Sequence, residues 1–293
     1  MVCITSELLE VIFERWRVLL IFGAVVYLGV VSVLRFRRAR SLATRFGFTD
    51  RASFSRMTVD DAQAILKELG ELEFPKIMRL SIVFALFKTY GIPSVSSLLV
   101  ATGQLATPET ASKRTADTRV LLLEFALNKP SSDRTLTAIA RMNYLHSRHR
   151  KSGKITDSDM LYTLSVFALE PARWIAKYEW RSMSDLELCA SGTFWKAMGD
   201  VMMIPYDRLP SSKSGWRDGL HWLAEIRHWS SEYEEEFMLP ARSNQQLADA
   251  HSELLFVNFP PALMEMGKKA ISTFLDERLR KAVGFVSLPM RQI

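Results

Sequence analysis

The chain has 293 residues, of which 48% are hydrophobic and 24% are charged, and its formal net charge is +6. This composition is that of an ordinary globular protein and excludes a chain that is disordered throughout. The two cysteines, Cys3 and Cys189, exclude a disulfide framework and a zinc ribbon. Residues 1–45 hold seven arginines and three glutamates, so +4 of the total charge lies at one end. A nucleic-acid-binding protein carries its basic patch on the folded domain, and we therefore expect no nucleic-acid partner.

An uncharged apolar run from Val18 to Leu34 predicts a helix that spans a membrane. As an α-helix the run measures about 26 Å, close to the ~30 Å hydrocarbon core of a bilayer. A cleaved signal peptide is disfavoured because the preceding segment is acidic and the run ends in RFRRAR, without a small-residue cleavage site. A buried core helix is the other alternative. We predict a membrane anchor with a basic collar over residues 1–45, in contact with membrane lipid.

The orientation of the anchor follows from its arginines. Five lie just after the apolar run and two lie just before it. The positive-inside rule then places the C-terminal body in the cytosol, behind a single transmembrane helix.

The body, residues 46–293, is predicted to be one all-α domain. Helix-start residues and glycine stops predict helices over 58–70, 75–90, 107–127 and 132–151. Thr156-x-x-Asp159 and Ser184-x-x-Glu187 have the capping-box pattern that opens a helix. Further helical stretches are expected near 216–237, 244–257 and 261–283. No hairpin pattern, internal repeat, Walker A, GxSxG or HExxH motif occurs in the sequence.

The helix predicted to end at Lys151 has an apolar stripe that turns polar halfway along its length. The stripe begins at Leu136 and continues at helical spacing through Asn143, His146 and Arg150. Since buried polar groups need partners, one interpretation is a site in the helix bundle with His146 as a ligand of a metal or of haem iron. The other is that the last turns are solvated, with cationic residues suited to the helix C-terminus.

Arg114 and Thr118 form a second candidate pair, four residues apart within KRTADTRVLLLEF. Residues at this spacing share one face of a helix. The pair either brings a guanidinium and a hydroxyl group into one pocket or belongs to a solvated surface.

Other motifs are weaker candidates for chemistry. Glu225 and His228 have the Glu-x-x-His spacing of di-iron bundles, but such sites need that motif on two helices. Cys189 is expected to be a small buried residue rather than a thiolate ligand. The acidic run 234–236 is expected to be solvated, and His251 has no predicted partner.

Three segments of the chain carry a family resemblance: LTAIARMNYLHSRHRKSGKITDSDMLYTLSVFALEPARWI, ASGTFWKAMGDVMMIPYDRLPSS and GIPSVSSLLVATGQL. In these segments the chain resembles the fungal ER-bound oxygenase family typified by MpaB of mycophenolic acid biosynthesis. The resemblance extends from about Phe74 to Phe285. This family shares its catalytic domain with the bacterial latex-clearing rubber oxygenases, to which the match is confined to motifs.

The resemblance implies a helical fold that is globin-like in parts and holds a b-type haem. The family's Leu-His-x-x-x-Arg pattern is matched by Leu145, His146 and Arg150, so His146 is expected to bind the iron. Asn143 and Arg150 are expected to bind the cofactor beside it.

The family's distal arginine and threonine are matched by Arg114 and Thr118, which are expected on the side of O2 or of the haem propionates. Asp117 stands between them where rubber oxygenases have a lysine, so we expect no lysine as sixth ligand. Asn143 and Lys151 also replace an arginine and a histidine of those enzymes. The family's glutamate base has no assigned match, and relatives continue further beyond LRKAVGF than this chain.

The resemblance implies a haem oxygenase in the ER membrane that cleaves a C=C bond of a farnesyl or prenyl side chain with O2. The substrate is then a prenylated small molecule of the mycophenolic-acid type. Two alternatives remain: an anchored helical protein that binds a prenylated lipid or a partner without catalysis, and a di-iron oxidase that uses Glu225 and His228.

Overall fold

The computed structural model describes residues 6–103, 108–256 and 260–285. Over these ranges the chain is helical and contains no strand, which confirms the all-α prediction. The helices in chain order are α1 Ser6–Arg35, α2 Arg37–Phe46, α3 Val59–Glu68, α4 Pro75–Thr89, α5 Pro93–Ala101, α6 Pro108–Leu127, α7 Asp133–Lys151, α8 Asp157–Tyr178, α9 Asp185–Val201, α10 Gly219–Phe237, α11 Arg242–Leu255, α12 Pro261–Phe274 and α13 Glu277–Ala282. The predicted start of α6 at Thr107 and the end of the stretch at 257 lie outside the described residues.

The chain divides into two compact units, residues 1–53 and residues 54–293. In the first unit, the apolar run of α1 is exposed except at Val31, with Phe22 66% and Tyr27 68% accessible. The helical segment Arg15–Phe46 is long and apolar enough to cross a membrane, and α4 with α5 passes the same test only as a bent pair. The predicted division at residue 45 stays a prediction.

The second unit is built around α8, which packs against α4, α9 and α10. Its side chains Leu161, Tyr162 and Ile175 are fully buried. Further packing joins α3 to α9, α6 to α7 and α11 to both α5 and α6. Hydrophobic burial along these pairs is what holds the helices together.

Local sequence signals account well for where the helices begin. Thr156 and Ser184 form capping boxes. In each box the hydroxyl accepts a hydrogen bond from the backbone N–H three residues on, and the acidic side chain at that position accepts one from the backbone N–H of the capping residue. Thr58 and Asp61 form a third box at α3. These boxes satisfy backbone donors that have no partner inside the helix.

The structure departs from the predicted helices in three places. The helix expected to stop at Gly70 instead continues from α3 into a π-helical turn, Leu69–Glu73. The short helix α5 was not predicted. The stretch expected over 261–283 is two helices, because Asp276 caps α13 by accepting the Leu279 N–H at 2.8 Å and thereby starts a new helix.

A buried ion cluster joins α4, α8, α10 and α13. The Lys88 ammonium lies 3.2 Å from Glu170, 2.9 Å from Glu234 and 3.4 Å from Asp276. Glu235 and Glu236 are exposed, but Glu234 is largely shielded and also accepts the Tyr162 hydroxyl at 3.2 Å. The prediction that the whole acidic run is solvated was therefore wrong for Glu234.

Helices α9 and α10 touch through their backbones at two glycines. A Cβ atom at Gly192 would collide with the backbone carbonyl of Gly219. A Cβ atom at Gly219 would likewise collide with the backbone carbonyl of Cys189. Because the obstacles are backbone atoms, neither helix can accommodate a side chain there without moving away.

We expect Gly192→Ala to lower the thermal unfolding midpoint of the full chain, because it forces α9 and α10 apart and disturbs the packing of their buried faces. Gly70→Ala is the matched control, since its Cβ would meet only the Met78 side chain at 3.5 Å, an ordinary contact. The measurement is thermal unfolding followed by circular dichroism in detergent. Equal midpoints for the two variants would contradict the close approach.

Candidate functional site

The candidate site is carried by the hairpin that α6 and α7 form. Arg134 and Glu124 join the two helices through a pair of hydrogen bonds of 2.8 and 2.6 Å. The end of α6 is held from α3, where the Gln63 amide donates to the Ala126 carbonyl at 2.9 Å. These contacts fix the two helices that carry the predicted site residues.

The second half of α7 is attached to the C-terminal end of α9. Asn143 donates its amide to the Val201 carbonyl at 2.8 Å, and Arg150 donates to the Met203 carbonyl at 3.0 Å. Both side chains thus satisfy carbonyls that a helix end leaves unpaired. Met203 itself has φ +53°, a left-handed conformation uncommon for a residue with a side chain. His146 lies between the two attachment points.

The structure therefore gives Asn143 and Arg150 a positioning role that sequence reasoning missed. Arg150 also donates to Asp157 at 2.9 Å, at the start of α8. Their binding of a cofactor stays a prediction.

His146 is half-buried, and its Nδ1 atom is shielded from solvent without a hydrogen-bond partner among the described residues. Burial, together with the positive charges of Arg114 and Arg150 and the neighbouring His149, lowers the pKa of this imidazole to about 4. The ring is therefore neutral at physiological pH. A neutral imidazole has the free lone pair that a metal ligand requires.

Arg114 and Thr118 interact as a pair on α6. The guanidinium donates a hydrogen bond to the Thr118 hydroxyl, which in turn donates to the Arg114 carbonyl at 2.9 Å. Both residues are half-buried, so the solvated-surface interpretation does not describe them. Because the charge of Arg114 lowers the pKa of His146, the two predicted groups lie close enough to interact electrostatically.

A second buried histidine, His251 on α11, lies next to Tyr90 at the 90° bend between α4 and α5. Its Nδ1 atom is 3.4 Å from the Tyr90 hydroxyl, and its Nε2 atom is buried without a partner in the described part of the chain. Burial and the charge of Arg119 lower the pKa of His251 to about 4. Burial raises the pKa of the Tyr90 hydroxyl, and the positive charge of Arg114 opposes that shift. Arg114 therefore influences the pKa values of both Tyr90 and His146.

No local pattern in the sequence indicates the contact between Tyr90 and His251. Tyr90 and His251 are separated by most of the body, and only the packing of α11 against α5 and α6 brings the helices together. Their juxtaposition is a tertiary feature.

The alternative metal sites have other roles in the structure. The Glu225 carboxylate accepts hydrogen bonds from Ser211 and Trp216. It also lies 3.1 Å from the His221 imidazole. His228, by contrast, is exposed and pairs with Glu232. Within the described ranges no group of three His, Cys, Asp or Glu side chains is arranged to hold a metal ion. The geometry therefore does not support the di-iron alternative.

Cys189 is fully buried on α9, as the sequence predicted for it. Burial raises the pKa of its thiol, so the thiolate that would bind iron is disfavoured.

The residues around His146 fit a prosthetic group that brings its own metal ligands. His146 offers a neutral imidazole with a shielded, unpartnered nitrogen, and the described part of the chain contains no cluster of side chains for a bare ion. Haem iron needs one protein ligand of this kind because the porphyrin supplies four nitrogens. Two buried imidazoles with unpartnered nitrogens are costly unless a further group contacts them.

A cavity of about 500 Å³ opens elsewhere, between α8, α9 and α10. Its lining includes Val166, Leu169, Met183 and Leu188, and none of the predicted site residues belongs to it. The predicted residues therefore gather between α6, α7 and their neighbours and not in this cavity.

Comparison with known proteins gives close relatives. The chain is 46% identical over 262 residues to the ER-bound oxygenase mpaB of Penicillium roqueforti (strain FM164), covering 89% of this chain and 88% of the relative. The chain belongs to the ER-bound oxygenase MpaB family. No family model matches it.

Two further MpaB-family relatives come from Penicillium brevicompactum. The chain is 44% identical over 269 residues to the ER-bound oxygenase mpaB', covering 92% of this chain and 64% of the relative. It is 44% identical over 244 residues to ER-bound oxygenase mpaB, covering 83% and 62% respectively. The chain thus spans less than two thirds of these two MpaB proteins.

Proposed function

We propose that this chain is a haem b-dependent oxygenase of the ER membrane that cleaves a C=C bond in the prenyl side chain of a small molecule. The observation that carries the proposal is the neutral, buried His146 imidazole with an unpartnered nitrogen beside Arg114. The substrate is a farnesylated precursor of the mycophenolic-acid type. Such an apolar chain partitions into the bilayer, where an anchored enzyme meets it.

His146 would hold the iron of the haem, since its lowered pKa leaves a nitrogen lone pair unprotonated. Asn143 and Arg150 hold the helix on either side of it through the end of α9. This attachment fixes the direction of the imidazole, as supporting contacts do for other metal ligands. When bound, the haem supplies the activation of O2 that the side chains of the chain lack.

Arg114 supplies hydrogen-bond donors and a fixed positive charge next to the reacting oxygen, and Thr118 holds its guanidinium in place. Preorganised donors of this kind stabilise charge that develops in a transition state. The C=C bond breaks and each of its carbons takes one oxygen atom of O2, so two carbonyl products form without an external reductant. Tyr90 and the surrounding aromatic side chains keep water away from this chemistry.

The protein spans the membrane once, through α1, with its body in the cytosol. The arginines that follow the apolar run support this orientation. Labelling of introduced cysteines in sealed microsomes tests it directly.

The function is tested with the full chain purified in detergent and supplied with a farnesylated aromatic substrate under ¹⁸O2. We expect a haem absorption band, uptake of O2 and one labelled oxygen atom in each carbonyl fragment by mass spectrometry. Binding of the substrate without O2 uptake would favour the non-catalytic alternative. Iron without porphyrin, lost on Glu225→Gln or His228→Ala, would favour the di-iron oxidase.

A further inference from the structure

The outward side of the α6–α7 hairpin, residues 108–151, exposes large apolar side chains. Val120 and Leu123 on α6 are 56% and 46% accessible, and Leu136 and Tyr144 on α7 are 53% and 57% accessible. On each helix the exposed residues recur at the spacing of one face. We call this surface the hairpin face.

Basic side chains surround the apolar residues of the hairpin face. Among the described side chains of residues 110–151, the exposed acidic ones are Asp117 and Asp133. The exposed basic ones without an acidic partner are Lys113, Arg119, Lys129, Arg141, Arg148 and Lys151. Arg141 also lies over the Tyr144 ring at 5.6 Å, so a cation and an aromatic ring are presented together.

Another exposed helix face in the body has the opposite charge. On α10 the exposed side chains include Glu232, Glu235 and Glu236. This helix packs against α8 and α9, whereas the hairpin packs against α3 and α11. The hairpin face is therefore basic and apolar, whereas α10 exposes three glutamates, of which Glu232 pairs with His228 and Glu235 with Arg278.

We propose that the hairpin face is a second membrane contact, seated in the headgroup region of a bilayer that contains anionic lipid. Apolar and aromatic side chains interleaved with arginine and lysine are the composition of helices that lie in a membrane interface. Anionic lipid attracts such basic segments and repels the acidic face of α10. The anchor α1 keeps the body close to the bilayer, so the contact needs little affinity of its own.

The test uses the full chain in lipid nanodiscs, with an environment-sensitive fluorophore on a single cysteine. Cys3→Ser and Cys189→Ala provide the background. Leu123→Cys and Tyr144→Cys report on the hairpin face, and Glu232→Cys on α10 is the matched control, with a side chain 63% accessible. Quenching by a spin label on the lipid headgroup is compared between phosphatidylcholine discs and discs that also contain phosphatidylserine. Circular dichroism verifies that each variant is folded.

We expect blue-shifted emission and quenching at positions 123 and 144, stronger with phosphatidylserine, and neither effect at position 232. Equal quenching at all three positions, or none, would overturn the proposal. A blue shift at 123 and 144 without lipid quenching would also overturn it, because a second copy of the chain would then cover the face. Equal quenching in both lipids would overturn the assignment to anionic lipid. None of these readouts depends on haem, so they are independent of the proposed reaction.

Discussion

His146→Ala is expected to abolish haem binding while the helices remain folded. The substitution removes the neutral imidazole whose pKa responds to Arg114 and whose shielded nitrogen has no partner among the described residues. The measurements are the haem absorption band, the porphyrin content and the far-ultraviolet circular dichroism of the purified full chain. The loss should be large, because the bond from a histidine to the iron is the main protein ligand of a b-type haem.

His149→Ala is the matched control, since His149 lies on the same helix one turn nearer its end. This variant should keep its haem. Added imidazole should restore part of the absorption band of His146→Ala, because it can enter the space left by the side chain. A variant at position 146 that binds haem as fully as the unaltered chain would remove the basis of the proposed site.

Lys88→Met is expected to destabilise the body by about 3–5 kcal/mol, the usual cost of leaving buried charges without their partner. Burial alone lowers the pKa of Lys88, but Glu170, Glu234 and Asp276 outweigh that effect and raise the pKa above its ordinary value. The lysine is therefore charged in the folded state. Its removal leaves three carboxylates close together, with Arg173 near Glu170 and Asp276 and Arg278 near Glu234 as the remaining cations. The free energy of unfolding in urea measures the result.

Lys67→Met is the control for Lys88→Met. Lys67 lies 4.0 Å from Glu71 with 42% of its side chain exposed, and an exposed pair of this kind contributes less than about 1 kcal/mol. Adding Glu234→Gln to Lys88→Met should recover part of the loss, because one uncompensated charge is removed. If both lysine variants unfold at the same urea concentration, the cluster does not stabilise the fold.

The sequence predicted those features of the fold that are local in the chain. Ser132, Thr156 and Ser184 cap their helices through residues three positions away, so the starts of α7, α8 and α9 could be assigned without a structure. The same holds for the Arg114–Thr118 pair, whose members lie on successive turns.

Features that depend on distant parts of the chain were not predicted. Glu234 looked like one of three solvated acids, and only the burial of Lys88 on another helix gives it a partner. Asn143 and Arg150 lie on one stripe with His146, but their bonds to the end of α9 follow from how α7 packs. No periodicity in a single helix contains that information.

The apolar run of α1, exposed except at Val31, has a consequence for sorting among cellular membranes. At about 26 Å, the run matches the hydrocarbon core of the endoplasmic reticulum, about 27 Å thick, and is too short for the ~32–33 Å core of the plasma membrane. Moving onward through the secretory pathway would require thicker bilayers to thin around the helix, at an energetic cost for each ångström. The length of the apolar run therefore suits the thinner bilayer of the organelle after which its relatives, the ER-bound oxygenases, are named.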